Sequence, residues 1–394
     1  MRMNSKNKKY DLVLVLNSKI GETGNHNYEV AILENYFRHD FRDSFSTLVL
    51  VRNNEMLIKI RSILKETERS KKRKIDVRIY QKGISSIIFM ILNLIQPLRI
   101  IISKIHLNKF ERKSQGKIYY LLSPNEFALS LSTHNIITTC WDFGHKQLKY
   151  IWEISSPYRY FKREIYYRQI FQRSKFIVTD SLNTTAFARQ HYKIKAEKIF
   201  VLGLPLPKNI ETIENKYYSN IIKDSPYLIY PAANWHHKNH IFLIRVFVAF
   251  LRQYPNYKLV LCGPRLAKGF SIQNTIKIFD LQNKVVDFGY LKKAEVNYMV
   301  KNSKLLIMPT KLGPTNYPVF EAAALGVRSV VSNVHDSEEI KDIRELVKIV
   351  PSWQVKDWLN SIDNSISEKR RPGPKRMKSN ALKKYFETLD LENS

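Results

Sequence analysis

The feature that most constrains this chain is an alternation. Short apolar runs rich in Val, Ile, Leu and Tyr are each followed by a longer stretch of helical composition. Strands are expected at residues 11–16, 47–51, 76–79, 117–122, 135–140, 175–179 and 198–202. They are near-continuously apolar, which indicates a parallel sheet covered by helices on both faces. From 205 to 226 the texture changes: PLPKNIETIENKYYSNIIKDSP is polar, carries three prolines and reads as a connector. The alternation restarts at 227–230, 258–262, 285–288, 304–308, 329–332 and 346–350. Two βα series joined by a linker predict an α/β protein of two doubly wound, Rossmann-like domains facing each other across a cleft. The expected divisions are 1–205, 206–366 and a tail, 367–394. The tail holds the basic stretch SEKRRPGPKRMKS and a last helix at 381–391 that packs back on the first domain.

Composition narrows the class. A chain of 394 residues buries a full core without disulfides or metal. The only two cysteines, Cys140 and Cys262, sit in expected strands and read as buried thiols of a reducing compartment. The N-terminal apolar run is too short for a signal peptide. Residues 84–105 are the most hydrophobic stretch, but Asn93, Gln96, Pro97 and Arg99 interrupt it, so it fails as a bilayer span. The expected location is cytoplasmic. The 65 Lys and Arg exceed the 35 Asp and Glu by 30, which calls for a polyanionic partner: nucleic acid, an anionic membrane surface or a phosphorylated substrate.

Four segments follow expected strands at their carboxyl ends, where open α/β sheets bind ligands. In TKLGPTNYPVFEAAALG (310–326), a turn of Gly313, Pro314 and Asn316 leads into a helix with Pro318 in its first turn. Such a helix N-terminus suits an anion, and Glu321 lies one turn in, placed to accept from sugar hydroxyls. An ordinary βα turn with a dipole-stabilising Glu is the equal alternative. In YPAANWHHKNH (230–240), Lys238 stands at a helix entrance, which suits a diphosphate; a solvated surface lysine is the plainer reading. The spacing of His236, His237 and His240 matches no zinc pattern. ITTCWDFGHK (137–146) places Asp142 and His145 in one turn, and KIGETGNHNYEV places Gly21 and Gly24 before a helix without forming a dinucleotide fingerprint.

Taken in order, YPAANWHHKNH, PNYKLVLCGP, DFGYL and GPTNYPVFEAAALG, with TTCWDFGH and FIVTDS in the first half, resemble glycosyltransferase family 4 over about residues 10–340. The resemblance implies the GT-B fold and retaining transfer of a sugar from a nucleotide-diphosphate donor to an acceptor. It places the donor in the C-terminal domain and the acceptor in the N-terminal one. It puts Lys238 on the diphosphate, Glu321 on the ribose, and Thr315, Asn316 and Tyr317 on the donor sugar or phosphate. Gly289 and Tyr290 fall near the base and Gly24 beside the phosphates, and Asn234 and Asn239, flanking the lysine turn, complete the implied donor-binding set. His145 falls where a cleft histidine faces the donor sugar, so His145, Lys238 and Glu321 are the implied catalytic set.

Two positions depart from the family pattern: Gly313 replaces the first Glu of a Glu–seven residues–Glu motif, and Ala233 replaces an arginine. Implied partners are a nucleotide-diphosphate sugar, a glycan or polyprenyl-linked acceptor, and an anionic membrane met through residues 70–74 and 84–105 at the inner face of the plasma membrane. Neither a metal nor another cofactor is expected, and no nucleic acid. The implied setting is bacterial surface polysaccharide assembly. A sugar-nucleotide epimerase on the same fold and a non-catalytic polyanion-binding protein are the alternatives.

Overall fold

The apolar runs become strands because helices cover both faces of each sheet. The computed structural model describes residues 8–18, 23–38, 46–67, 75–80, 114–125, 128, 131, 133, 135–204, 210–265, 271–313 and 315–373. In the first sheet, β1 (Lys8–Val15), β2 (Thr47–Val51), β3 (Ile75–Ile79), β4 (Ser114–Leu121), β5 (Ile136–Cys140), β6 (Phe176–Thr179) and β7 (Ile199–Val201) lie in the order β3-β2-β1-β4-β5-β6-β7. In the second, β8 (Tyr227–Tyr230), β9 (Lys258–Leu261), β10 (Val285–Asp287), β11 (Leu305–Met308), β12 (Ser329–Ser332) and β13 (Val347–Val350) lie in the order β10-β9-β8-β11-β12-β13. All neighbouring pairs in both sheets are parallel.

Every expected strand is present. The first begins earlier than its apolar run, because Lys8 and Lys9 pair with Ser114 and Gln115, and backbone pairing needs no apolar side chain. Alternate residues feed opposite faces. Leu12, Leu14, Leu16 and Tyr120 join one core cluster of the first sheet, while Val13, Val15, Tyr119 and Leu121 join the other. A third cluster surrounds the second sheet.

Among the described residues, the first domain's helices are α1 (Thr23–Arg38), α2 (Asn54–Thr67), α3 (Gly144–Gln147), α4 (Trp152–Ser155), α5 (Pro157–Arg173) and α6 (Leu182–Tyr192). Those of the second are α7 (Lys216–Ile222), α8 (His240–Leu251), α9 (Ile272–Ile278), α10 (Lys293–Asn302), α11 (Tyr317–Ala324) and α12 (Val355–Ser367). Trp358 of α12 is fully buried, and its indole N–H donates to the Ser352 carbonyl at 2.9 Å. Both thiols are buried and unpaired, and desolvation raises the pKa of each.

The chain beyond α12 lies along the second domain as far as Gly373. Arg371 meets Glu345 at 2.8 Å, and Arg370 donates to the Gly326 carbonyl at 3.3 Å. The expected last helix at 381–391 and the proposed membrane segments at 70–74 and 84–105 lie outside the described residues. Among the described residues, no helix is long and apolar enough to cross a membrane.

In each sheet the strand order reverses beside the first strand of its series, between β1 and β4 and between β8 and β11. Loops leaving neighbouring strands at such a point diverge to opposite faces and leave a crevice at the carboxyl ends. The lysine loop follows β8 and the GPTN loop follows β11.

Candidate active site

The crevice of the second sheet brings the two strongest segments together. After β8 the chain makes a single 3₁₀ turn, His236–Lys238. Asn239 then takes a left-handed conformation, φ 58°, and starts α8; Asn tolerates that region better than most residues. The Tyr230 hydroxyl fixes the turn by donating to the Lys238 carbonyl at 2.8 Å. Lys311 N and Thr310 Oγ1 both donate to the His237 carbonyl, at 2.8 and 3.3 Å, which joins the two loops.

Lys238 Nζ donates to Asn316 Oδ1 at 3.0 Å. Burial lowers the lysine pKa to about 8, against the pull of Asp142 and Glu153. Asn316 Nδ2 donates to the Gly313 carbonyl at 2.6 Å and lies 3.1 Å from His335 Nε2. Glu321 is buried in α11 and pairs with Lys293 of α10. Asn234 is also buried, and its N–H donates to the Pro264 carbonyl at 3.4 Å. Gly289, at φ 65°, receives the Asp287 carboxylate on its N–H at 3.0 Å, next to an Arg265–Asp287 pair at 2.8 Å. Tyr290 is exposed beside it, and Gly24 lies exposed in the first turn of α1.

His145 corrects the sequence-based expectation. It does not face the cleft. Its side chain is fully buried in the first domain, with Nε2 2.8 Å from Glu164 Oε1 and its ring stacked on Tyr167. Burial, together with the nearby Arg163 charge, lowers its pKa to about 4. The reason is local: Asp142 accepts from Gly144 N and from Arg163, both at 2.7 Å, and this turns the start of α3 inward.

Three residues that the motifs did not single out touch this region. Glu153 of α4 reaches across from the first domain. Its Oε2 accepts from His236 N and Nδ1, both at 2.9 Å, and its Oε1 accepts from His237 N at 3.0 Å and Nδ1 at 2.7 Å. Asp180, just after β6, accepts from the Thr315 hydroxyl. His335, just after β12, is fully buried against Asn316. Each is far from its partner in sequence, so no spacing announced it. The GPTN loop also presses Leu312 onto Leu148, Ile151 and Ile154, and Tyr317 into the core of the first domain. Lys311 lies 5.4 Å from the centre of the Tyr150 ring. The cleft is thus closed over the lysine turn.

This arrangement offers an ammonium group, an amide and a helix N-terminus at a sheet crevice, which suits a phosphorylated ligand. Residues 211–384 match the family model described as glycosyl transferases group 1. The structure superimposes along nearly its whole length on the Anabaena protein HepE in complex with UDP and glucose. The TM-score is 0.62 at 13% identity, covering 97% of this chain and 99% of that one. The chain has the GT-B fold. Similar whole-length likenesses hold for sucrose-phosphate synthase from Thermosynechococcus elongatus (TM-score 0.63, 13% identity, 96% and 94% covered). They hold also for WaaG, a glycosyltransferase involved in lipopolysaccharide biosynthesis (TM-score 0.61, 12% identity, 96% of each chain). A curated relative, an uncharacterized glycosyltransferase of Methanocaldococcus jannaschii, is 26% identical over 154 residues. That match covers 36% of this chain and 38% of the relative. In GT-B terms, the crevice at β8 and β11 belongs to the C-terminal domain, and Glu153 and Asp180 come from the N-terminal one.

Proposed function

We propose that the protein is a retaining glycosyltransferase of the family 4 type. In this reading it moves a sugar from a nucleotide-diphosphate donor to a glycan or polyprenyl-linked acceptor in the assembly of a bacterial surface polysaccharide. The observation that carries the reading is the meeting of Lys238 and Asn316 at the switch point of the second sheet, 3.0 Å apart. The group 1 match over residues 211–384 covers both loops, and the HepE structure of the same fold holds UDP and glucose. The polysaccharide setting rests on the residue-level resemblance and on the named role of WaaG.

The chemistry follows from charge. A departing nucleoside diphosphate gathers negative charge as the glycosidic bond lengthens. Lys238 and the N-terminus of α11 are aimed at that charge before reaction, in a cleft that domain closure dries. Glu321 and Asn316 are assigned to ribose and sugar hydroxyls, Thr315 and Tyr317 to the same loop, and Gly289 and Tyr290 to the base. The acceptor hydroxyl attacks on the face the diphosphate leaves, which retains configuration.

A thermal-shift panel of UDP-, GDP-, ADP- and dTDP-hexoses tests this, UDP-glucose first. A donor at a hundred times its Kd stabilises by about 2.7 kcal/mol. The shift and nucleoside diphosphate release should both vanish in Lys238→Ala. No shift with any donor overturns the reading, and conversion of donor without acceptor supports epimerisation instead.

The membrane is proposed as the place where a lipid-linked acceptor is met. Tyr150, Trp152, Tyr158 and Phe161 of the N-terminal domain are 56–74% exposed, and Lys149 and Arg159 are exposed among them. Interfacial aromatics beside cations suit an anionic leaflet, at about 1 kcal/mol per basic group. Co-sedimentation with anionic vesicles at low salt should show binding that Trp152→Ser weakens; no binding by the wild type sinks the proposal.

A further inference from the structure

A buried histidine stands behind the Lys238–Asn316 pair. His335 closes the 3₁₀ turn Asn333–His335 that follows β12, and none of its surface is exposed. Its Nδ1 lies 3.2 Å from the Ser332 carbonyl, and its Nε2 lies 3.1 Å from Asn316 Nδ2. A carbonyl can only accept, so Nδ1 carries the proton. Burial, with Lys238 nearby, lowers the pKa of His335 to about 3, so the ring is neutral and Nε2 is a bare lone pair. That lone pair takes one amide hydrogen of Asn316, and the Gly313 carbonyl takes the other at 2.6 Å. The remaining atom, Oδ1, is left facing Lys238 Nζ. A flipped amide would set oxygen against both the imidazole lone pair and the Gly313 carbonyl, so one orientation alone satisfies every group.

We infer that His335 is a positioning residue: through its Nδ1–H tautomer it fixes the Asn316 amide, and thereby holds the Lys238 ammonium where a diphosphate is received. This deepens the donor-site reading above and rests on it. A seat prepared before the donor arrives removes the cost of freezing the long lysine side chain from binding and from the transition state.

The test separates the role of the second ring nitrogen from simple filling of space. Gln places a polar atom where Nε2 stands, whereas Asn reproduces only the Nδ1 position. In ¹⁵N-histidine spectra of the full wild-type chain, His335 should be the neutral Nδ1–H tautomer throughout the neutral pH range. Acetylation of Lys238 by acetic anhydride, read by mass spectrometry, should be about tenfold faster in His335→Asn than in wild type, with His335→Gln close to wild type. Turnover should fall about tenfold in His335→Asn, recover in His335→Gln, and fall no further when Asn316→Ala already removes the link. An Nε2–H tautomer, a titrating ring, or Gln and Asn variants that behave alike overturns the inference. If the wild type turns over no sugar nucleotide, the functional reading fails, while the spectra and the labelling rates still decide the role of His335.

Discussion

Gly313 stands where the resemblance leads one to expect a Glu, and its backbone accounts for the difference. Its φ is 91°, in the left-handed region that side chains avoid, and a Cβ built there would lie 3.2 Å from Asn316 Nδ2. A Glu at this position would be strained and would crowd the amide that holds Lys238. The turn instead uses Asn316, three residues on, for the polar contact to Lys238. Gly313→Ala should cost about 1–2 kcal/mol in backbone strain and, by displacing Asn316, also reduce the donor-induced rise in Tm. Thermal unfolding with and without UDP-glucose checks both; a variant as stable and as responsive as wild type excludes this account. Lys238 and Asn316 were legible because each sits one loop past an apolar run. His145 was misplaced for the complementary reason. A turn motif tells where a side chain leaves the backbone, but Glu164 and the Tyr167 ring, both on α5, decide which way it points.

At the level of elements, the thirteen strands among the described residues were readable. The central ones, such as β2, β5, β8 and β11, are fully buried and so stay apolar along their length, while the edge strands β3 and β13 are only partly covered yet keep enough Val and Ile to read as strands. The contacts between loops were not readable. The 3₁₀ turn His236–Lys238 is three residues long and has no side-chain cap of its own; α4 of the other domain supplies one. Burial pushes the Glu153 pKa up, but the four bonds from His237 and His236 outweigh it and bring it down to about 2. A carboxylate whose folded pKa lies below its unfolded value, near 4.5, adds stability above that pH. The contribution, on the order of 3 kcal/mol, is lost as pH falls from about 4.5 toward 2. Glu153→Gln replaces one acceptor oxygen with an NH₂ that faces donors. It should lower Tm at neutral pH and flatten the acid limb of the Tm–pH curve. An unchanged acid limb would show that the carboxylate does not clamp the turn in solution.

At the scale of the whole molecule, two of the carboxylates that bridge the domains, Glu153 and Asp180, respond to pH in opposite directions. Glu153 weakens its bridge only in acid. Asp180 is buried among Thr315, Thr184 and Ser181, with Asp142 near enough to repel it. Burial raises its pKa to about 7, and the hydroxyl hydrogen bonds offset only part of that. Here the folded pKa lies above the unfolded value of 3.8, so the closed form holds a proton that the free carboxyl releases. The sign is therefore reversed: the closed form is favoured below about pH 4, loses that advantage as pH rises through about 7, and changes no further above it. Opening the cleft hydrates Asp180, so the same linkage acts on domain separation as well as on unfolding. Together the two bridges hold the cleft most tightly near about pH 4 to 4.5, above which Asp180 progressively gives up its share, and an ionised Asp180 favours the open form that admits a donor. Small-angle scattering of wild type should show the radius of gyration rising between about pH 5 and 8, with Asp180→Asn remaining compact because its amide keeps an acceptor for Thr315 and never ionises. Identical profiles for the two proteins would mean that Asp180 does not govern closure. A wild-type radius that shrinks as pH rises would contradict the sign of the linkage itself.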